Sequence, residues 1–295
     1  MRTVFLGTSA FAVAILERLA DSPHRPALVI TRPDRPRGRG RRVAAPPVAE
    51  AAAELGLVCL QPADVNAPEV LERARAAGAE TACVCAFGAL IGEPLLSGLP
   101  MLNVHPSLLP RWRGAAPIER AIMAGDAHTG ICIMRVTAGL DSGPVCLTER
   151  EPIRPEDDFG TLSARLAVRG GALLVRALED RPGCREQDEA CATYAEKIGP
   201  ADRRLDPARP AAELARVVRA LSPHIGARLE LEGEPGLGVR AAVALPGGPP
   251  AGRLAAEGGR LVLGCGDGAL DLLEVQPPGG RPMDAAAYLR GHAPG

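Results

Sequence analysis

The sequence predicts an α/β chain in two parts: a doubly wound, parallel-rich sheet first, then a small β-barrel at the C-terminal end. Two observations carry this. Short β-rich runs alternate with helical segments as far as residue 178, which is how parallel sheets are wired. Beyond Arg181 the chain turns polar and Pro/Gly-punctuated, and the remaining residues carry mostly short strand signals. Several short strands in about 75 residues suit a small barrel, with an OB-like barrel as one candidate.

Arg2–Leu6 and Ala27–Thr31 read as strands around a helix at Ala10–Ala20. Pro46–Leu55 reads as a helix with proline in its first turn. Leu57–Leu60 is a strand, Pro68–Ala77 a helix and Glu80–Ala86 a buried strand. Met101–Val104 is a short strand, Ala115–Ala124 a helix, Thr129–Val136 an alternating strand and Phe159–Leu178 a long helix. The polar stretch from Arg181 reads as a linker, and Ala211–Leu221 as a helix. Arg228–Leu231, Gly238–Ala244 and the run around Gly252–Leu254 supply strands. Leu261–Cys265 and Ala269–Val275 flank Gly266-Asp267-Gly268, a strong hairpin signal. The expected division is residues 1–185, a linker at 186–204 and a second domain at 205–295.

Composition narrows the function. Of 295 residues 46% are apolar and 23% charged, an ordinary globular balance, with too few aromatics (2%) to build the core. No uncharged apolar stretch reaches the roughly 18 residues of a membrane span. The N-terminal apolar run could pass for a signal peptide, but Gly7, Thr8 and Ser9 interrupt it and Glu17-Arg18 closes it; strand-turn-helix fits better, and a cytoplasmic protein is expected. Eight cysteines without a CxxC pair suggest neither a disulfide framework nor a zinc ribbon; Cys83 and Cys85 read as buried thiols. Lys197 is the only lysine, so no phosphate-binding GxxxxGK[ST] loop is possible. Positive charge is concentrated: Arg32 to Arg42 holds six arginines against Asp34, in a chain of net charge −1. That is the pattern of a local contact site.

The densest chemistry lies in Asn103-Val104-His105-Pro106-Ser107-Leu108-Leu109-Pro110-Arg111-Trp112-Arg113-Gly114. It opens at the C-terminal end of a predicted strand, where open α/β sheets bind ligands. Asn103 and His105 are two apart and share a face in extended backbone. An amide can hold a developing oxyanion while an imidazole moves a proton. A second segment, Gly139-Leu140-Asp141-Ser142-Gly143, sets an aspartate in a tight turn. Such a residue commonly serves only the turn; its chemical use would be to fix the imidazole tautomer and stabilise its charged form.

With VHPSLLPRWRGAAPI, GLDSGPV, TRPDRPRGRGRR and a C-terminal GDGALDLLEVQP in view, the chain resembles the methionyl-tRNA formyltransferase family, within the wider folate-dependent formyltransferases. The resemblance runs over nearly the whole chain. It implies a Rossmann-like formyltransferase domain followed by an OB-like tRNA-binding domain. It also implies transfer of the formyl group of 10-formyltetrahydrofolate to the free amine of initiator methionyl-tRNA, without a metal, by a monomer. Asn103, His105 and Asp141 match the family's catalytic triad. Ser107, Leu108, Leu109 and Pro110 match its folate-binding segment, with Cys85–Leu90 as another wall of that pocket. Arg37, Arg39, Arg41 and Arg42 match the loop that meets the tRNA acceptor arm, and each can meet a phosphate.

A formyltransferase for a small amine, such as glycinamide ribonucleotide or an amino sugar, would need neither the arginine loop nor the appended domain. A non-catalytic RNA-binding module would have no use for the triad. The chain departs from the family at three places. Leu221-Ser222-Pro223-His224-Ile225-Gly226 stands where an aromatic NPWP-like stretch is usual. Pro200–Gly295 balances 11 arginines with 11 acids where the family is commonly basic. Phe87-Gly88 stands where Tyr-Gly is usual.

Overall fold

The computed structural model describes residues 1–37, 42–231 and 236–292. The chain divides into two compact units, Met1–Pro117 with Thr129–Pro152 and Ser163–Ala195, and Ile118–His128 with Ile153–Leu162 and Glu196–Gly295.

The strands of the first unit are β1 (Thr3–Gly7), β2 (Pro26–Ile30), β3 (Arg35–Arg37), β4 (Arg42–Ala44), β5 (Cys59–Leu60), β6 (Thr81–Cys85), β7 (Met101–His105), β8 (Arg113–Gly114), β9 (His128–Arg135), β10 (Val145–Pro152) and β11 (Tyr194–Ala195). Seven of them form one sheet in the order β10-β9-β7-β6-β1-β2-β5. Strands β5, β2, β1, β6 and β7 run parallel, and β9 lies antiparallel to β7. Every residue of β1 and β6 is buried, the near-continuous apolar pattern of strands covered on both faces. This is the parallel-rich, Rossmann-like sheet that the sequence predicts.

Helices α1 (Ala10–Ala20), α2 (Pro47–Glu54), α3 (Pro68–Ala76) and α4 (Leu95–Gly98) connect these strands. The first of them buries Ala12, Ile15, Leu16, Leu19 and Ala20, a stripe at helical spacing. Both α2 and α3 begin on a proline, whose missing N–H costs nothing in a first turn. Helix α5 (Pro117–Ala124) precedes β9, and α6 (Phe159–Asp180) follows β10. Asp158 and Thr161 cap α6 reciprocally: Thr161 N–H donates to Asp158 Oδ1 at 2.8 Å, and Asp158 N–H to Thr161 Oγ1 at 3.1 Å.

Residues of the expected 186–204 linker are ordered. Strand β11 pairs in parallel with β8, and a 3-10 turn at Glu189–Cys191 is capped by the Asp188 carboxylate. Part of their polarity belongs to side chains that bond within the protein, among them Gln187, Asp188, Glu189, Thr193 and Asp202. Cys146 and Cys184 form a disulfide, and the other six cysteines are free. Burial pushes the Cys83 thiol up to about 12 and Cys85 further in the same direction, as expected of core thiols.

The second unit holds β12 (Arg204–Leu205), β13 (Ala227–Leu229), β14 (Leu237–Leu245), β15 (Leu254–Glu257), β16 (Arg260–Gly264), β17 (Ala269–Gln276) and β18 (Met283–Asp284), with α7 (Ala211–Leu221) and α8 (Ala285–Leu289). Its sheet runs β12-β13-β14-β17-β16-β15, with β18 on β17; apart from the parallel β12–β13 pair, the ladders are antiparallel. The predicted hairpin joins β16 to β17, with Gly268 at φ +74°. Leu214, Val217, Val218 and Leu221 of α7 pack with Val239, Leu261, Leu270 and Leu272 in one core. Where the sequence lacks an aromatic NPWP-like stretch, His224 stacks on Phe159 with ring centroids 3.7 Å apart and sets Nε2 3.1 Å from Glu119 Oε1.

No helix among the described residues is long and apolar enough to cross a membrane.

Candidate active site

The site forms at the C-terminal end of β7. The strand places Asn103 and His105 on one face, opposite Met134 and Cys132 of β9. Beyond the strand the chain turns sharply: Ser107 N–H donates to His105 O at 2.9 Å, and the fully buried Ser107 hydroxyl donates to Arg111 O at 2.6 Å. Leu108 packs on the backbone of Gly130, where a Cβ would lie 2.5 Å from Leu108 Cδ2. Pro110 O accepts the Thr193 N–H at 3.2 Å. The segment Ser107–Pro110 therefore follows Asn103 and His105 as a fixed turn whose one hydroxyl proton is donated to Arg111 O.

Asp141 lies 38 residues beyond Asn103, and its carboxylate meets both β7 side chains. Asn103 Nδ2 stands 3.5 Å from Asp141 Oδ1, and His105 Nδ1 stands 3.6 Å from Asp141 Oδ2. Asp141 Oδ2 also accepts the Gly114 N–H at 2.9 Å. His105 is 4% exposed. Its Nε2 lies 2.8 Å from the carbonyl oxygen of Trp112, which can only accept, so Nε2 carries the proton of the neutral ring. The tautomer is thus set by a backbone carbonyl. Asp141 faces the other ring nitrogen, Nδ1, a position from which a carboxylate can stabilise an imidazolium.

A buried arginine frames this arrangement. Arg113 is 1% exposed; its NH1 and NH2 donate to Glu189 Oε2 and Oε1 at 2.9 and 2.7 Å, a bidentate pair, and its Nε donates to Gln187 Oε1 at 3.0 Å. Bonding to Glu189 raises the Arg113 pKa, and the same guanidinium lowers that of Glu189. Gln187 Nε2 then donates to Asp141 O at 2.8 Å and Gly143 O at 2.7 Å. These three residues escape sequence reading. Arg113 is one arginine among many, and its partners lie more than 70 residues away in a stretch that reads as linker.

At the neighbouring strand end, Thr8 Oγ1 donates to Phe87 O at 2.7 Å, and Ala86 and Gly88 take positive φ (43° and 73°). Phe87 is buried, whereas Leu90 is 80% exposed. Of the arginines expected to meet phosphates, Arg42 is exposed on β4, in a ladder with β3 that pairs Arg37 with Arg42. Arg39, Arg41 and the side chain of Arg37 lie outside the described residues. Among the described residues no three His, Cys, Asp or Glu side chains group as a metal site would require.

The formyl transferase model matches residues 1–178, and the model of the formyl transferase C-terminal domain matches residues 197–293. The chain belongs to the formyltransferase family. A methionyl-tRNA formyltransferase of Thiobacillus denitrificans is 45% identical over 99% of this chain and 97% of its own length. One from Cereibacter sphaeroides is 44% identical over the same shares. Among solved structures, the N-formyltransferase of Helicobacter canadensis, in complex with folinic acid and dTDP-3-aminofucose, is similar with a TM-score of 0.68 over 92% of this chain and 98% of that one. At 13% identity that likeness is one of fold. As a formyltransferase, the protein moves a one-carbon unit at the oxidation level of formate, an acyl transfer that an amide, an imidazole and a carboxylate around one point can serve.

Proposed function

We propose that the protein transfers the formyl group of 10-formyltetrahydrofolate to the free amino group of methionyl initiator tRNA, in the cytoplasm. The observation that carries this reading is the meeting of Asn103, His105 and Asp141 on one carboxylate, in a chain 45% identical to a methionyl-tRNA formyltransferase over nearly its whole length.

The methionyl amine attacks the formyl carbon, forming the new C–N bond and a tetrahedral oxyanion. The Asn103 amide, turned by its contact to Asp141 Oδ1, offers its remaining N–H to that oxyanion; one such donor is worth about 100- to 1000-fold in rate. His105 Nδ1 takes the proton shed by the amine, and Asp141 stabilises the resulting imidazolium. Collapse breaks the bond to N10 of the folate, and N10 receives the proton. His105 acting in this way accounts for about 100- to 10,000-fold. The donor is an already activated N-aryl amide whose departing group is the N10 amine, so no step needs a metal.

Ser107, Leu108, Leu109 and Pro110 are the segment proposed to hold the folate. With the Ser107 hydroxyl committed to Arg111 O, the contacts come from backbone groups and the leucine side chains. Arg37, Arg39, Arg41 and Arg42 are proposed to meet the tRNA backbone. Residues 1–185 carry the chemistry, 186–204 join the two parts and 205–295, read as an OB-like domain, bind tRNA; the protein acts as a monomer.

The test is formyl transfer with methionyl initiator tRNA and glycinamide ribonucleotide offered separately. Turnover on the tRNA alone is expected. Turnover on the small amine alone would keep the chemistry and overturn the acceptor.

A further inference from the structure

The Asp141 carboxylate is held by the Gly114 N–H at 2.9 Å, but the backbone that leads into it has little support of its own. Residues 137–140 leading into it are exposed, with Leu140 at 62%. Asp141 itself takes φ +46°, a left-handed conformation that costs a residue other than glycine about 1 kcal/mol or more. The backbone leading into the carboxylate is therefore neither packed from outside nor favoured by its own conformation.

One side chain supplies the restraint. Gln187 spends both N–H groups on this turn, one on the carbonyl of Asp141 and one on that of Gly143, at 2.8 and 2.7 Å. The amide has one possible orientation. Its oxygen accepts Arg113 Nε, and Arg113 is locked by its bidentate pair with Glu189. The order of control runs from Glu189 through Arg113 and Gln187 to the backbone on either side of Ser142.

We propose that Gln187 is a positioning residue for formyl transfer: by drawing the Asp141 and Gly143 carbonyls to one oriented amide, it sets where the Asp141 carboxylate meets His105 and Asn103. This rests on the reading of Asp141 as a member of the catalytic triad. Gln187 touches no reacting atom and acts only through the carboxylate.

The experiment compares wild type, Gln187→Met, Asp141→Asn and the double variant in formyl transfer to methionyl initiator tRNA, with thermal unfolding as a folding control. Methionine keeps the length and removes both donors. Misplacing a catalytic group by about an ångström costs up to roughly 100-fold, so kcat of Gln187→Met should fall about 10- to 100-fold. Both KM values should stay within about threefold, because no substrate contact is removed. In the Asp141→Asn background the Gln187 substitution should cost at most about twofold more, since the group it positions has already lost its charge. A general structural role would instead multiply the two losses, and that result overturns the proposal. So does an undiminished kcat in Gln187→Met while Asp141→Asn is impaired. Near wild-type turnover by Asp141→Asn would overturn the role of Asp141 itself. Should Gln187→Met fail to fold, Gln187→Glu replaces it; it keeps an acceptor for Arg113, presents no donor to the two carbonyls, and is expected to show the same loss.

Discussion

The imidazole of His105 donates its Nε2 proton to the carbonyl oxygen of Trp112 at 2.8 Å. The Trp112 peptide is held in turn, with its N–H on Thr193 Oγ1 at 2.9 Å and its φ at +63°. A loop peptide thus decides which ring nitrogen is basic, and that nitrogen faces Asp141. His105→Ala should lower kcat by at least about 100-fold. Binding of methionyl-tRNA, followed by fluorescence or filter retention, should stay near wild type, because the ring is proposed to serve the carbonyl centre and not the phosphates. Normal kcat in this variant would end the proposed mechanism.

Gly114 gives the second prediction. Its φ is +114°, a Cβ there would lie 2.9 Å from Ala195 O, and its N–H is bonded to Asp141 Oδ2. Gly114→Ala should part β8 from β11, cost about 1–3 kcal/mol of stability and lower kcat by tenfold or more. Urea melts read the first effect, and initial rates at saturating substrates the second.

Much of the fold and the site is legible in the residues, for reasons that also explain the gaps. Helices α1 and α7 fall where their apolar spacing puts them, because one stripe of each helix is buried. Asn103 and His105 need only the two-residue period of a strand. Strand β10 escapes because it is an edge strand whose VCLTEREP mixes half-exposed apolar residues with charges. Strands β8 and β11 are two residues each, too short for any period to register. The Glu189–Arg113–Gln187 frame is beyond single-sequence reading: nothing marks Arg113 as the one arginine buried among the described residues, and its partners are local only in three dimensions. The Cys146–Cys184 bond is hidden in the same way.

Acid should weaken the contact between Arg120 and Asp202. The guanidinium donates to both carboxylate oxygens, at 2.7 and 3.1 Å, and this bonding lowers the Asp202 pKa, helped by the Gly199 N–H and opposed by burial. A carboxylate depressed on folding stabilises the fold above its unfolded pKa, and that stabilisation is lost as pH falls through the folded value. The stability difference between wild type and Asp202→Asn should therefore be constant near neutrality and shrink below about pH 4. Urea melts across that range test it; a difference that persists unchanged in acid would contradict it.

His224 should matter for stability rather than for rate. Its ring lies on Phe159 at an interplanar angle of 23°, and Nε2 contacts Glu119. His224→Ala should cost about 1 kcal/mol, while His224→Phe, which keeps the stack, should cost less. The thermal midpoints of the two variants, compared with wild type, rank the contributions.

The arginine loop makes a prediction in salt. Arg39→Ala and Arg42→Ala should each raise the KM for tRNA. Each should also reduce the slope of log affinity against log salt by about one, if each arginine neutralises one phosphate. Turnover at saturating tRNA should be unaffected.

The parallel ladder between Arg113–Gly114 and Tyr194–Ala195 also has a consequence for how the enzyme comes into being. A ribosome that has made His105 and Asp141 has made the groups proposed to react, but not Gln187, Glu189 or strand β11, which bond to the segments around them. On the proposed roles, a nascent chain should therefore be inert until the segment through Ala195 has emerged. An expression fragment cut at 185 should likewise fold its sheet and still be a poor catalyst, whereas one carried to 195 would retain the whole frame around Asp141.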